Sequence, residues 1–266
     1  MIWKTLPRFD PVCGLAGHRC GSGPDMVLIH GVGLRSEAWG AMIPPLSDRF
    51  TLHLIDLPGH GQSAPAKGDA LQDFVAPVRA YLQQIGGACV VGHSMGAMIA
   101  LAVAAQAPAL VHGVAALNAI YRRSQSAATA VQARAKVLAT SGASDPAPTL
   151  ARWFTDLQSP AALACGAWLQ QADPAGYARA YRVFAHHDGP ADTDLAHLKM
   201  PALFITGAQE PNSTPQMSRA MAALAPQGHA YVIENAAHMA PMTHADEISA
   251  ALGRHFSPTG ADADAD

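Results

Sequence analysis

The stretch that most constrains the fold is Ala88 to Ala100, ACVVGHSMGAMIA, where a short apolar run meets Gly92-His93-Ser94-Met95-Gly96 and an alanine-rich run follows. It reads as a buried strand, a sharp turn and a helix. Glycines at 92 and 96 omit the β-carbons that would collide where strand and helix come close, and a serine strained at the apex is offered as a nucleophile. Ser94 is therefore the first candidate functional residue.

The flanking chain repeats the same alternation. Strands are expected at Met26 to His30, Thr51 to Leu57, Val111 to Leu117, Ala202 to Thr206 and Ala230 to Glu234, with weaker opening strands around Trp3 to Phe9 and Val12 to Cys20. Phe74, Val75, Val78, Tyr81, Leu82 and Ile85 mark one face of a helix that Gly86-Gly87 ends. Ser36 reads as the N-cap of a helix through Trp39, Met42, Ile43 and Leu46, which Pro44-Pro45 should kink or shorten. Other helices follow the Ser94 turn to about Ala107, begin at Thr214-Pro215, and run from Asp246 to Phe256. Strands alternating with helices predict an α/β fold with a mostly parallel, doubly wound sheet.

Between Asn118 and Pro201 lie roughly eighty residues, where a crossover between parallel strands needs only a dozen or more. The excess is read as an inserted helical cap, residues 119–200, with helical segments near 124–140, 149–157, 160–172 and 175–186. Residues 1–118 and 201–256 then form the core, and 257–266, ending in alternating Ala and Asp, reads as a disordered acidic tail.

A serine hydroxyl at neutral pH needs a base, and the base needs an orienting group. His238 follows the last strand on a loop that could carry it over the carboxyl edge of the sheet, and is the candidate base. Glu210, on the loop after the preceding strand, is the candidate acid; its alternative is the solvated loop carboxylate common for glutamate. The chain order Ser, acid, His is one known order of this machinery. Backbone amides of Val32, in His30-Gly31-Val32-Gly33, and of Met95 are the candidate oxyanion donors. Asn118 cannot serve as the acid, since it carries no charge.

Composition narrows the partners. Charged residues make up 14% of the chain and its formal net charge is −3, so there is no basic footprint for nucleic acid. The N-terminal Met1 to Pro7 lacks a continuous apolar run of signal-peptide length and no 18-residue apolar stretch suggests a membrane span, so the expectation is a cytoplasmic protein acting on a small molecule, with no membrane partner. Four cysteines without close pairing suggest free thiols. His186-His187-Asp188 is a weak metal pattern, and no metal is expected.

Three motifs together, His30-Gly31-Val32-Gly33 with Trp39, Asp56-Leu57-Pro58-Gly59-His60-Gly61-Gln62-Ser63, and Gly92-His93-Ser94-Met95-Gly96, resemble the α/β-hydrolase superfamily over residues 26–256. The subgroup most similar holds 3-oxoadipate enol-lactonases and small esterases. The resemblance implies cofactor-free hydrolysis of a carboxylic ester or lactone, a cap after the sixth strand, and structural roles for Asp56 and His60. Glu210 stands where the family usually has Asp. Because one fold hosts many reactions, C–C bond hydrolysis of a β-diketone-like substrate and a non-enzymatic ligand receptor with a residual triad are the alternatives. Trp153, Phe154, Trp168 and Tyr181, with Tyr177 and Phe184, are the candidate substrate-lining residues. Arg122 and Arg123 are candidates for a substrate carboxylate, against the plainer reading of solvated charge.

Overall fold

In the computed structural model, which describes residues 6–141 and 145–256, the first two strands form a hairpin, β1 (Arg8–Val12) and β2 (Leu15–Gly21). Its two-residue loop is Cys13-Gly14, with φ of 55° and 80°. Two successive positive φ values give the turn that matches strand twist, so the second strand starts at Leu15, later than the expected Val12. Residues 1–5, where the first strand was expected to begin, and the acidic tail lie outside the described residues.

The chain then runs through β3 (Asp25–Ile29), a 3₁₀ turn at Ser36–Met42, α1 (Ile43–Leu46), β4 (Thr51–Ile55), α2 (Gln72–Ile85), β5 (Ala88–His93), α3 (Met95–Gln106) and β6 (Val111–Leu117). Next come α4 (Gln125–Ser141), α5 (Ala147–Trp153), α6 (Pro160–Gln171), α7 (Pro174–Ala185) and α8 (Asp192–Ala196) before β7 (Ala202–Gly207). The chain closes with α9 (Pro215–Leu224), β8 (Gly228–Ile233), α10 (Ala240–Thr243) and α11 (Ala245–Phe256). The strands lie in the order β1-β2-β4-β3-β5-β6-β7-β8, parallel from β4 onward, with β2 antiparallel to β4.

Each face of the sheet buries its own cluster. Phe74, Val78 and Leu82 of α2 pack with Ile99 and Val103 of α3 and Phe204 of β7 on one side. Trp39, Met42, Leu46, Ile248, Leu252 and Phe256 cover the other. Burying β5 on both faces is what its unbroken run ACVVGH encodes, since an edge or one-sided strand would alternate with polar residues.

Two local expectations change. Ser36 does not cap a helix with its side chain: its amide donates to Asp56 Oδ1 at 2.8 Å and its hydroxyl donates to Glu37. Ser36 is the first residue of the turn, Arg35 holds the cap position, and with the Ser36 hydroxyl on Glu37 no side chain caps the turn; the chain stays 3₁₀ until α1 begins at Ile43. Helix α8 was not read from the sequence because five residues carry too little periodicity. Thr214, by contrast, caps α9 by accepting from the Met217 amide at 3.4 Å.

Candidate active site

Ser94 joins β5 to α3 with φ 57° and ψ −117°, a strained conformation for a side chain bearing a β-carbon. Its amide is held by the Leu117 carbonyl at 2.9 Å. The turn tolerates no bulk on either side. A β-carbon at Gly92 would sit 2.1 Å from the Gly96 carbonyl oxygen, and one at Gly96 would sit 2.1 Å from the Ile29 carbonyl oxygen. At Gly31 it would meet the Ser94 β-carbon at 3.0 Å, so the loop after β3 passes directly beside the serine.

That loop is pinned by two buried histidines. His30 Nδ1 donates to the Gly31 carbonyl and its Nε2 accepts from the Leu57 amide at 2.9 Å, while His60 Nε2 accepts from the Gly33 amide at 3.0 Å. Burial holds both rings neutral, pushing His60 down to about 3, which suits rings that accept on one nitrogen and donate on the other. Asp56 ties the same region together, accepting from Arg8, the Ser36 amide and the Gln62 amide. Gly61 is required there, because a β-carbon would lie 2.1 Å from the Asp56 carboxylate. With Gly33 and Leu34 amides both engaged, the amides of Val32 and Met95 are left, among the described residues, with no acceptor.

His238 comes in from the loop after β8. His93, buried and pushed down to about 3 by burial and then by the neighbouring His238, donates from Nε2 to the His238 carbonyl at 2.8 Å. The His238 ring donates from Nδ1 to Glu210 Oε2 at 2.6 Å. Glu210 is 3% exposed, and its other oxygen accepts from the Asn212 and Ser213 amides at 2.7 and 3.3 Å. Burial alone would raise this carboxyl. The His238 charge and hydrogen bond, with the two amides, outweigh burial and hold it at about 2. A carboxylate on Nδ1–H leaves Nε2 as the acceptor nitrogen. Ser94 and His238 line the same cavity, and among the described residues the serine hydroxyl is not yet hydrogen-bonded, a looseness common before substrate arrives.

The cavity has a volume of about 270 Å³, near the small end for ligand sites. Of the expected aromatic wall, Trp153 and Tyr181 line it, with Tyr177 and Phe184; Trp153 also stacks on His238, ring centroids 5.7 Å apart. Phe154 and Trp168 do not line it. Phe154 is buried among Leu34, Ala38 and Met242, and Trp168 packs at the edge of that cluster under the Arg35 guanidinium. Arg122 turns outward to Asp192, whereas Arg123 lies under Phe184 and donates to Asp188 and to the Phe184 and His187 carbonyls. His186 and His187 donate back to their own helix, and no group of three metal-binding side chains occurs among the described residues.

Asn118, set aside as an acid, instead donates its amide to Glu210 Oε2 at 3.3 Å, and sequence reasoning passed over Arg134, Thr149 and Arg152, which line the cavity. A signal for Arg134 existed: Ala127, Ala130, Val131 and Arg134 follow i, i+3, i+4, i+7 spacing on α4.

A parallel sheet with a serine at the β5–α3 turn and an acid and histidine delivered by the last two strand exits defines the α/β-hydrolase class of fold. The chain belongs to the alpha/beta hydrolase family, whose model matches residues 26–251. Over 237 residues it is 38% identical to the (E)-2-((N-methylformamido)methylene)succinate hydrolase of Acinetobacter baylyi, covering 87% of this chain and 90% of that one. It is 33% identical to a pimeloyl-[acyl-carrier protein] methyl ester esterase of Stenotrophomonas maltophilia, covering 89% and 93%. The enol-lactonase of Burkholderia xenovorans superposes with a TM-score of 0.77 at 23% identity, over 90% of this chain and 95% of that one, a likeness of fold. Fold and relatives together indicate a hydrolase, and among the described residues no helix is long and apolar enough to cross a membrane.

Proposed function

We propose that this chain is a serine hydrolase that cleaves a small carboxylic ester or lactone without a cofactor. The observation that carries the reading is the 2.6 Å bond between Glu210 and His238 beside a serine in a strained strand-to-helix turn. Ser94 Oγ attacks the carbonyl carbon as His238 Nε2 takes its proton, and Glu210 stabilises the imidazolium. The tetrahedral oxyanion accepts from the Val32 and Met95 amides, which already point at nothing else; the first turn of α3 adds its positive dipole end. Collapse expels the alcohol with the proton from His238, and water repeats the sequence on the acyl-serine. The helices between β6 and β7 act as a cap that closes the acyl side of the cavity.

Ser94→Ala should lower kcat on 4-nitrophenyl acetate by roughly 10⁴ with the fold intact, since the hydroxyl supplies chemistry and little packing. An alanine variant that kept most of its turnover would remove Ser94 from the mechanism. A second reading is favoured by the Acinetobacter relative: the same groups would act on an acyl–nitrogen bond in a methylenesuccinate rather than on an ester. Against the receptor alternative stands Glu210, which, although one methylene longer than the family's usual acid, accepts from the His238 ring.

A further inference from the structure

The wall of the cavity formed by the helices between β6 and β7 carries three arginines, Arg123, Arg134 and Arg152, and no acidic residue lines the cavity. Arg123 is neutralised by Asp188, 2.8 Å away. The other two are not: among the described residues no Asp or Glu pairs with Arg134 or Arg152. Arg134 donates to the Thr149 hydroxyl at 2.7 Å and lies over the Tyr181 ring at 5.3 Å, while its Nε is buried without an acceptor. A buried guanidinium N–H with no partner costs free energy that an incoming anion would recover. Arg152 is an exposed residue that also lines the cavity, and the partial desolvation of its side chain, then the Arg134 charge, hold it below the ordinary arginine range. Two neighbouring like charges repel, and an anion placed between them reverses the sign of that interaction.

The rest of the lining explains why the charge is placed there. On α4 the face that meets the cavity is Ala127, Ala130 and Val131, small and apolar, and the fork of Arg134 ends it. Ser94 and His238 occupy the wall made by the loops of the core sheet. A substrate in this cavity therefore meets the nucleophile on one side and unpaired guanidinium groups on another. In about 270 Å³ there is room for a small molecule and little else.

We propose that the cavity selects acyl substrates that carry a free carboxylate, and that Arg134 and Arg152 form the site that holds it. The planar guanidinium fork matches a carboxylate in a way an ammonium does not. This rests on the serine-hydrolase reading above. Arg134 and Arg152 are specificity residues here, and the carboxylate they hold is the substituent that stays intact, distinct from the carbonyl that Ser94 attacks.

The test compares 4-nitrophenyl butanoate with mono-4-nitrophenyl succinate, in which a carboxylate replaces the terminal methyl of the acyl chain. The wild type should prefer the succinate ester in kcat/KM by tenfold or more, and Arg152→Gln should lower that ratio at least tenfold, mainly through KM. Arg152→Lys should recover only part of it. Binding is measured separately, by calorimetry with succinate on the Ser94→Ala protein with and without Arg152→Gln, so that no turnover is needed. Loss of succinate binding on adding Arg152→Gln supports the site even if neither ester is hydrolysed, in which case the ester reading fails alone. A wild type that shows no preference for the charged ester, or succinate binding that Arg152→Gln and Arg134→Gln leave unchanged, overturns the proposal.

Discussion

Replacing Glu210 by Gln tests the geometry of the site most finely. From the sequence alone the exchange looks isosteric and nearly neutral for stability. The structure says otherwise, because the two oxygens accept four hydrogen bonds: the Asn212 and Ser213 amides on Oε1, and the His238 ring and Asn118 amide on Oε2. Whichever way the glutamine amide is placed, its NH₂ faces two donors. Losing two buried partners at about 1–3 kcal/mol each, with some relaxation, gives a loss of roughly 2–4 kcal/mol. For a protein of this size that is a fall in Tm of about 4–16 °C. If the NH₂ turns toward His238, the ring must switch its proton to Nε2 to accept it, and that nitrogen can no longer take the serine proton. The kinetic cost of the wrong tautomer is on the order of 10⁴ in kcat. Thermal unfolding and ester turnover on the same preparation measure both. Glu210→Asp keeps the charge but withdraws it by one methylene, and should also lose activity. A glutamine variant with unchanged Tm and full kcat would exclude Glu210, and attention would pass to Asp246 and Glu247, although Glu247 already accepts from Tyr231.

Two further outcomes follow from the same contacts. Gly96→Ala places a β-carbon 2.1 Å from one backbone carbonyl and 2.6 Å from another, and should destabilise by roughly 3 kcal/mol or more in urea unfolding; Gly86→Ala, with open space around it, should cost only the left-handed strain of about 1–2 kcal/mol, and equal losses would contradict the tight-turn argument. Glu210 is held at about 2 against an ordinary 4.5, so its ionisation contributes up to roughly 3 kcal/mol above pH 4.5 that is lost as pH falls through 2. The stability gap between wild type and Glu210→Gln should close over that range, and a gap independent of pH would refute the assignment.

How far the sequence carries can be read from individual residues. The turn at Ser94 was legible because a run buried on both faces must be a central strand, and only glycine fits at 92 and 96. Glu210 and His238 were placed by the same logic, each just beyond a short apolar run and therefore at one edge of the sheet. The helices between β6 and β7 were legible too, since a proline stands in the first turn of α5, α6 and α7. What those helices present to the site was not. The row Ala127, Ala130, Val131 and Arg134 marks one face of α4 in the sequence, but that this face meets the cavity is decided by the packing of α4 against α7. Trp153 and Tyr181 reach the cavity while Phe154 and Trp168 fill a cluster beneath the loop after β3, a division that neighbouring residues of like chemistry could not reveal. Asn118 was set aside as an acid, and its use, donating to the acid, became visible only when strand exits were brought side by side.

The central claim is that Ser94 is an activated nucleophile, and labelling with a fluorophosphonate followed by peptide mapping tests it directly. Phosphonylation at Ser94 of the folded protein, abolished by Ser94→Ala and slowed strongly by Glu210→Gln, is the predicted result. Labelling at another residue, or none on protein shown to be folded, would contradict the account.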